Sequence, residues 1–554
     1  MRSIKVRLSL LSVMLFAFVG SVFAAGGTCP SGSNTIQQDG TLSTIANVGV
    51  SGPITGGITS CFYISKSTGS DTNNGTSEST PWAHAPGMPS CTGTCASTSP
   101  AAGEGFIFRG GETWVSTDLG FNLSISGSST HPIYFGVDKT WYNSSVCGAS
   151  WCRPILNAGG VTTSNMWTFQ SSNSYVIVDD FEFTGMRNNQ NAFLWQFATN
   201  VRATQNYMHG WTQTGTTNNV GFLSEQWTGS FFDHNIQDGV DSIVAGPTGS
   251  CTVSQCGTFN GVDSQNGGTV EYNYFSYVVS AVLSTTDVVH DNVIVNTITS
   301  IDGDHCNALF SQGPATTSNQ LIYNNYINNG NSCSGGVVLW FNGNVATPNP
   351  SSIGYGFNNV MWGLSSNPVN IGNHGSGNYG TYYWFNNTVD CTLGGCGGTP
   401  PTGPTWTISE GNNHYIPSAL NFACTGCTVN SLGTDLVQTE TVANGQGYTS
   451  AETFPYSPII GCTSGTCGTV QYGTNQESVC TALSSINAQA GVACQSGTSD
   501  ACAYNTSNHT LRCPNNALNA RPASTAWDIG AYEFNAIIPP FIRMYGVQLK
   551  GRIN

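Results

Sequence analysis

The sequence predicts an all-β solenoid with disulfide-closed surface loops and an irregular C-terminal capping region. Short runs of β-branched and aromatic residues recur along the middle of the chain, and each run ends in a pair of polar residues. No helical periodicity accompanies these runs, and repeats of about 20 to 50 residues are typical of solenoids. The chain has 554 residues, of which 8% are charged and 20 are cysteines. Low charge together with abundant aromatic residues indicates a folded chain rather than a disordered one.

Residues 1–24 have the pattern of a secretory signal peptide. The first residues are basic, residues 8–19 are apolar, and small residues precede a cleavage site after Ala24. The apolar run is shorter than the roughly 20 residues that a membrane span requires. We therefore expect an exported protein without a membrane span, located outside the cell, at the cell surface or in a periplasm.

The charge balance excludes one class of partner. The chain has 14 Lys and Arg against 29 Asp and Glu, which gives a net charge of -15, and it has no cluster of basic residues. Phosphate contacts require a cationic surface, so the composition argues against nucleic-acid binding. Gly, Asn, Ser and Thr provide the polar surface instead.

The cysteines agree with export, because all of them follow the signal and their number is even. Zinc binding is the alternative for the Cys-x2-Cys spacing at Cys424 and Cys427, but no second pair or histidine follows at a suitable distance. We predict six close pairs, Cys91/Cys95, Cys147/Cys152, Cys251/Cys256, Cys391/Cys396, Cys424/Cys427 and Cys462/Cys467, and four more distant ones, Cys306/Cys333, Cys480/Cys494, Cys502/Cys513 and Cys29/Cys61.

Eight instances of the repeat lie between residues 173 and 387. Asn favours the turn after each run because it tolerates a left-handed backbone, and stacked amides can hydrogen-bond to their neighbours. We therefore expect an asparagine ladder, with Asp179-Asp180 in register with it as structural residues. Aligned on the first residue of each pair, the instances fall at steps of 18 to 39 residues, at Asp179, Asn206, His234, Asn273, Asp291, Asn324, Asn358 and Asn386.

This pattern resembles the right-handed, single-stranded parallel β-helix of the pectate-lyase-like superfamily. Three segments carry the resemblance at the beginning of the solenoid: FYISKSTGSDTNNGTSESTPW at 62–82, GEGFIFRGGETW at 103–114 and HPIYFG at 131–136. The segment WDIGAYEF at 527–534 resembles the closing segment of such exported proteins. The resemblance implies the fold and a secreted, polysaccharide-lyase-like protein, although the superfamily also includes glycosidases, isomerases, esterases and non-catalytic adhesins.

Uneven repeat steps predict where extra chain leaves the solenoid. The surplus lies mainly in 238–268, 296–318 and 344–352, and loops stacked on one flank build a groove. We divide the chain into an N-terminal extension, the β-helix, a region of last rungs with a disulfide-rich cap, and a tail, at 25–60, 61–397, 398–534 and 535–554.

The densest group of ionisable residues is Asp302, Asp304 and His305, which we predict as an acid/base group. The alternative is a solvated turn with a structural histidine. A second group, Asp238, Asp241 and Asp263, has the oxygen ligands that calcium prefers, and ordinary turn carboxylates are the alternative. For substrate binding we predict Arg187 and Arg202, which suit acidic sugars, and Trp340, which suits a sugar ring.

We therefore expect a secreted protein that binds and cleaves a polysaccharide, as a lyase or a glycoside hydrolase. The alternative is a non-catalytic extracellular protein, such as an adhesin or a filament subunit, because low charge and abundant Asn, Ser and Thr suit it equally well. No catalytic residue is transferred from the superfamily, since the lysines after the signal are Lys66, Lys139 and Lys550, all outside the repeats. The composition leaves self-association open.

Overall fold

A computed structural model describes the chain from residue 26 to residue 533. The predicted signal peptide and the tail therefore lie outside the described residues. So do the following segments: 31–32, 37–41, 45–56, 161–164, 171, 187–190, 196–197, 212–219, 228, 240–258, 267, 285–287, 299–306, 313–318, 329–336, 342–352, 365–366, 373–378, 394–395, 397–404, 423–426, 449–466, 499–500 and 514–518.

Three long parallel sheets run along the molecule, and the chain passes through them in turn to form the coils of a β-helix. We call the sheets of 13, 12 and 9 strands sheet I, sheet II and sheet III. Each central coil contributes one strand to each sheet, so an inner strand pairs with the strands one coil before and after it. Crossovers between parallel strands are right-handed as a rule. The predicted all-β parallel β-helix is confirmed.

The strand bounds follow the chain within each sheet. Sheet I contains β3 (Ser60–Ile64), β4 (Glu104–Gly110), β7 (Ile133–Tyr142), β10 (Ser174–Asp179), β13 (Thr199–Thr204), β16 (Phe231–Asp233), β19 (Thr269–Glu271), β22 (Val288–His290), β25 (Gln320–Tyr323), β28 (Ile353–Phe357), β31 (Tyr379–Phe385), β33 (Thr405–Gly411) and β35 (Thr428–Ser431). Sheet II contains β5 (Thr113–Val115), β8 (Ile155–Asn157), β11 (Glu182–Thr184), β14 (Tyr207–His209), β17 (Ile236–Asp238), β20 (Tyr274–Ser276), β23 (Val293–Val295), β26 (Tyr326–Asn328), β29 (Val360–Trp362), β32 (Thr388–Asp390), β34 (His414–Ile416) and β36 (Leu436–Val437). Sheet III contains β6 (Phe121–Leu123), β9 (Trp167–Phe169), β12 (Asn191–Trp195), β15 (Val220–Trp227), β18 (Phe259–Asn266), β21 (Ser280–Ser284), β24 (Leu309–Gln312), β27 (Val338–Phe341) and β30 (Val369–Gly372).

Two antiparallel pairs and five short helices complete the described elements. The pairs are β1 (Ser33–Ile36) with β2 (Leu42–Thr44), and β37 (Ala503–Asn505) with β38 (Thr510–Arg512). The helices are α1 (Gly93–Ser97), α2 (Ser144–Cys147), α3 (Glu440–Gly445), α4 (Glu477–Ser484) and α5 (Ala488–Cys494). No helix among the described residues is long and apolar enough to cross a membrane.

The core fills the space between the three sheets. Alternate residues of each strand face inward, as Val176 and Val178 do on β10, and they stack on their counterparts in neighbouring coils. Aromatic rings dominate the first coils, where Phe106 stacks on Phe135 with ring centroids 4.8 Å apart. The apolar alternation in the sequence is therefore the pattern that closes the solenoid.

A two-residue corner joins each sheet I strand to the following sheet II strand through the repeats. Its first residue has a left-handed backbone, and its second is an Asn whose side-chain oxygen accepts from the Asn of the preceding coil. The left-handed residues, with φ of 53° to 63°, are Asp180, Gln205, His234, Tyr272, Asp291, Asn324, Asn358, Asn386 and Asn412. The ladder residues are Asn206, Asn235, Asn273, Asn292, Asn325, Asn359, Asn387 and Asn413, and Asp435 ends the ladder by accepting from Asn413.

The predicted ladder is real, but the predicted alignment is wrong by one residue at some coils. Asn206 and Asn273 are ladder residues, whereas His234 and Asn324 occupy the left-handed position before it. Asp179-Asp180 is not in register with the ladder, because the ladder position of that coil is Phe181. Asn satisfies both positions for different reasons, so residue type alone does not separate them.

The C-terminal segment returns along the outside of the solenoid. Helices α4 and α5 pack against aromatic side chains of sheet I, including Tyr323 and Phe357. Tyr448 and Ala531 pack against Tyr326 and other apolar residues of sheet II. The region after residue 397 thus supplies both the last coils, β33 to β36, and an outer layer on two of the sheets.

Disulfides close the loops as predicted wherever both cysteines are described. Cys427 and Cys467 are also disulfide-bonded, which excludes the zinc alternative for Cys427. The predicted pairs Cys251/Cys256 and Cys306/Cys333, with Cys424 and Cys462, lie outside the described residues. The confirmed pairs are Cys29/Cys61, Cys91/Cys95, Cys147/Cys152, Cys391/Cys396, Cys480/Cys494 and Cys502/Cys513.

Candidate functional site

The connections between strands are distributed unevenly around the solenoid. Two residues suffice between sheets I and II at the repeated corners, whereas β17 and β18 are joined by residues 239–258 and β23 and β24 by 296–308. On the other side, 342–352 join β27 of sheet III to β28 of sheet I. Both sets of long connections begin or end on sheet III. The outer face of sheet III therefore lies between them, and such a face is where a groove is expected.

Most of the predicted site residues belong to this side of the molecule. Asp263 lies in β18 and Trp340 in β27, both in sheet III. The others fall on connections from sheet II to sheet III and lie outside the described residues: Arg187, Asp241, Asp302, Asp304 and His305.

Strand register assigns positions 263 and 340 to opposite faces of sheet III. The core column of this sheet contains Val262, which pairs with Val282 and, through it, with Leu309. Position 263 follows that column and so belongs to the outer face, since successive strand positions alternate. Position 340 pairs with Ile371, which is buried in the core. The substrate-binding role of Trp340 stays a prediction.

The outer column of sheet III that contains position 263 begins with neutral polar residues. Asn122 is exposed and accepts a hydrogen bond from Gln170 Nε2 at 3.0 Å. Thr168 pairs with Asn122 in the next coil and is half-buried. This part of the face offers amide and hydroxyl groups without a formal charge, which suits hydrogen bonding to hydroxyl-rich ligands.

The structure places Arg202 elsewhere, on sheet I. Its Nε and one terminal nitrogen each donate to a carboxylate oxygen of Asp233 at 2.7 Å. The side chain is 8% exposed, so the guanidinium is committed to a buried ion pair. Burial alone would raise the pKa of Asp233, but Arg202 holds it well below its usual range. Arg202 thus stabilises the solenoid wall rather than facing a ligand.

Arg202 belongs to a charged row on the outer face of sheet I, made of Asp179, Arg202, Asp233, Glu271 and His290. His290 Nε2 lies 2.7 Å from Glu271, and its Nδ1 lies 2.7 Å from Asp291. Burial would lower the pKa of His290, but the two carboxylates raise it to about 9. At neutral pH the imidazole is therefore a cation that lies between two carboxyl side chains.

The end of this row is formed by Asp179 and its neighbour Asp180, which the sequence predicts as structural residues. Burial, with the neighbouring charge of Asp180, raises the pKa of Asp179 to about 8, and Tyr134 Oη donates to Asp179 at 3.0 Å. Asp180 is paired with Lys139 Nζ at 2.7 Å and lies 3.6 Å from Arg153. A structural role for Asp179 and Asp180 agrees with these contacts, although it is exercised through ion pairs and not through the ladder.

Asp238, predicted as a calcium ligand, lies at the end of β17 in sheet II. One carboxylate oxygen accepts from Ser276 Oγ at 2.9 Å, and the other accepts from Tyr504 Oη at 2.8 Å. These hydroxyl donors occupy both oxygens, so the described surroundings of Asp238 do not fit a metal site. Within the described part of the chain, no group of three His, Cys, Asp or Glu side chains could hold a metal ion.

Sequence reasoning missed the contacts that bring distant segments together. Nothing in the spacing of Lys139, Arg153 and Asp180 indicates that they meet, and Tyr504 reaches Asp238 across 266 positions of the chain. The one signal in the sequence that pointed to these contacts was the scarcity of charge. In a chain with few charged residues, each charged side chain is a candidate for a specific ion pair or hydrogen bond.

Comparisons with known proteins assign no family. No family model matches the chain, and no curated protein matches it. Among solved structures, the GH136 lacto-N-biosidase from Eubacterium ramulus is similar at 9% identity with a TM-score of 0.37, covering 68% of this chain and 67% of that one. A PL6 family polysaccharide lyase from Pseudopedobacter saltans matches at 11% identity with a TM-score of 0.32, covering 59% and 88%. A rhamnogalacturonan lyase matches at 10% identity with a TM-score of 0.31, covering 73% and 97%.

Proposed function

We propose that this chain is a secreted protein that binds a polysaccharide along the outer face of sheet III and cleaves it. The observation that carries the proposal is the uneven distribution of connections: the corners between sheets I and II are two residues long, while long connections border sheet III on both sides. A face framed in this way can accommodate an extended polymer, because its strands repeat about every 4.8 Å along the solenoid.

The acid/base group in this proposal is Asp302, Asp304 and His305. Their place in the chain, between β23 and β24, supports the assignment because that connection leads from sheet II to sheet III. Position 263 belongs to the outer face of the same sheet. Arg187 lies between β11 and β12, on a connection of the same kind, and is the proposed contact for an acidic group of the substrate.

Calcium is proposed for Asp241 and Asp263 alone, since the oxygens of Asp238 accept from two hydroxyl groups. Titration of the protein with calcium, followed by isothermal calorimetry, tests this proposal. Asp263→Asn is expected to abolish the binding heat, whereas Asp238→Asn leaves it unchanged. Equal loss in both variants would contradict the assignment.

Two reactions suit an acid/base group of this kind. In β-elimination a base removes the proton next to a uronate carboxyl group, the glycosidic C–O bond breaks as an acid protonates the departing oxygen, and an unsaturated sugar remains. In hydrolysis an acid protonates the leaving oxygen while water attacks the sugar, and no double bond forms. Ultraviolet absorbance of the product reports elimination, and new reducing ends without absorbance report hydrolysis.

The test is incubation of the purified protein with a panel of plant, algal and bacterial polysaccharides. Asp302→Asn, Asp304→Asn and His305→Gln are each expected to lower the rate by about 100-fold or more, because a positioned acid or base contributes about that much. His131→Gln is the control, since His131 is exposed and bonds to Thr130.

Two results would contradict the proposal in different ways. Full activity of all three variants would contradict the proposed acid/base residues but not the proposed enzymatic function. No product from any polysaccharide would remove the enzymatic function, and the non-catalytic alternative would then be tested by electron microscopy of the secreted protein. Filaments would support a structural subunit, and discrete monomers would count against it.

A further inference from the structure

The outer face of sheet II changes character along the solenoid. In the later coils its residues are largely apolar, such as Val293, Val360 and Trp362, and the C-terminal segment covers them with apolar contacts. In the earlier coils, β11 to β20, the same face carries titratable residues. We call this group the hairpin cluster, and it consists of Glu182, Tyr207, His209, Asp238, Tyr504 and His509.

The last two members come from the β37–β38 hairpin. The disulfide Cys502–Cys513 closes the base of the hairpin, and residues 505–508 at its tip are exposed. Tyr504 Oη donates to Asp238 at 2.8 Å, and His509 Nδ1 lies 2.8 Å from the same Oη. The hairpin is therefore locked covalently and placed by a directional contact to the solenoid.

Aromatic rings connect the hairpin to the solenoid strand β14. The ring of Tyr207 stacks on His509 with centroids 4.2 Å apart and on His209 with centroids 4.5 Å apart. His209 Nε2 in turn lies 2.8 Å from Glu182 Oε1. The result is a row of flat rings that ends in a carboxylate on one side and in the Tyr504 hydroxyl on the other.

This cluster is in contact with solvent. Tyr504, His509, His209 and Glu182 are half-buried, while Tyr207 and Asp238 beneath them are buried. Burial, followed by the charge of His209, lowers the pKa of His509, and burial with Asp238 raises the pKa of Tyr504. Both groups are therefore neutral at neutral pH, and they present hydrogen-bonding edges at the surface.

Docking of the hairpin alone does not explain these residue types. Apolar contacts hold the same C-terminal segment to the later coils, and burying polar groups is more costly than burying apolar ones. Polar groups that fix orientation, set among aromatic rings, are instead the usual composition of a small-ligand site.

We propose that the hairpin cluster is a binding site for a neutral sugar residue, separate from the groove of sheet III. The half-buried rings of Tyr504 and His509 can offer an apolar face to the C–H groups of a sugar, and the edges of Glu182, His509 and Tyr504 can bond its hydroxyls. The site does not depend on cleavage in the groove, because it lies on sheet II and binds without reaction.

The charges favour a neutral ligand over an acidic one. Glu182 and Asp238 are the acidic residues of the cluster. Arg153 donates to the backbone carbonyl of His509 at 2.7 Å, but it is 7% exposed and pairs with Asp180. A uronate would meet the carboxylates of Glu182 and Asp238, the imidazole of His209 already pairs with Glu182, and the chain carries a net charge of -15.

Affinity electrophoresis with neutral and anionic polysaccharides tests this site. The neutral probes are galactan, glucan, mannan and xylan, and the anionic probes are polygalacturonate and alginate. The protein carries Asp302→Asn and Asp304→Asn, so that the proposed acid/base group does not act during the measurement. At least one neutral probe is expected to bind, and Tyr504→Phe, His509→Gln or Glu182→Gln should raise the Kd about tenfold, which corresponds to about 1.4 kcal/mol.

Tyr472→Phe is the matched control, since Tyr472 is 57% exposed and lies outside the cluster. Glu182→Gln separates binding from folding of the hairpin, because Glu182 lies on β11 of the solenoid. Binding of no neutral probe, unchanged affinity in all three variants, or tighter binding of the uronates through these residues would overturn the proposal. If the wild-type protein cleaves no polysaccharide, the proposed sugar site at the hairpin cluster is not contradicted. The two proposals can therefore fail separately.

Discussion

His290 shows how a single residue can make a charge-poor solenoid depend on pH. Its imidazole has no exposed surface and lies between Glu271 and Asp291, which raise its pKa to about 9 against the lowering effect of burial. An unfolded histidine has a pKa of about 6.5. The folded chain therefore keeps a proton that the unfolded chain loses between these two values. The stabilisation is complete below pH 6.5 or so, and it disappears as the pH rises towards 9.

We therefore predict that the free energy of unfolding decreases between about pH 6.5 and 9, with His290 contributing up to about 1.4 kcal/mol per pH unit. His290→Gln is expected to be less stable at pH 6 and to have a flatter pH dependence in this window. Denaturant unfolding of both proteins at several pH values measures the difference.

The exposed His131→Gln serves as the control and should follow the wild-type curve. Asp179, whose pKa of about 8 also falls in the window, is present in all three proteins, so its contribution cancels in the comparison. Identical slopes for the wild type and His290→Gln would show that the imidazole is not charged in the folded chain.

In the corner between sheets I and II, two neighbouring asparagines have different structural roles. Asn325 donates its side-chain amide to Asn359, Val289 and Tyr323, and it accepts from Asn292. Asn324, one residue earlier, has a φ of 54° and belongs to the turn. The ladder residue satisfies buried backbone groups in adjacent coils, while the turn residue is selected for its backbone conformation.

Replacing these two neighbours should therefore change the free energy of unfolding by very different amounts. Asn325→Ala leaves several buried groups without partners and is expected to cost about 3 kcal/mol or more, since each unsatisfied group costs about 1 to 3 kcal/mol. Asn324→Gly should change stability by about 1 kcal/mol or less, because glycine adopts the left-handed conformation without strain. Denaturant unfolding of the two variants measures this contrast, and similar losses would contradict the distinct roles.

The same corner explains which elements were predictable. Alternating apolar runs and recurrent Asn predicted the β-helix and its ladder, because both patterns recur in the local sequence of each coil. The exact register was not predictable at Asn206, Asn273 and Asp179, since Asn suits both corner positions. Close cysteine pairs such as Cys91/Cys95 were predictable because short loops leave little choice of partner. The ion pairs of Asp180 were not, because Lys139 and Arg153 come from other coils.

The whole molecule combines scarce charge with many disulfides, and the disulfides fit an oxidising compartment. We predict that the exported protein begins at Ala25 and contains no free thiol. Mass spectrometry of the N-terminal peptide and thiol titration under denaturing conditions test this. A retained residue 1, or titratable thiols after export, would contradict the predicted signal peptide or the predicted pairing.

Local sequence was sufficient for the architecture, since strand alternation, Asn corners and close cysteines are properties of residues within one coil. It also identified the connections on which Asp241, Asp302, Asp304 and His305 lie. Only the folded chain determines the partners of the charged side chains: Arg202 pairs with Asp233, His290 pairs with Glu271, and Asp238 accepts a hydrogen bond from Tyr504. These partners come from different coils or from the C-terminal hairpin. Their pairing depends on the register of strands in neighbouring coils, and that register exists only in the folded chain.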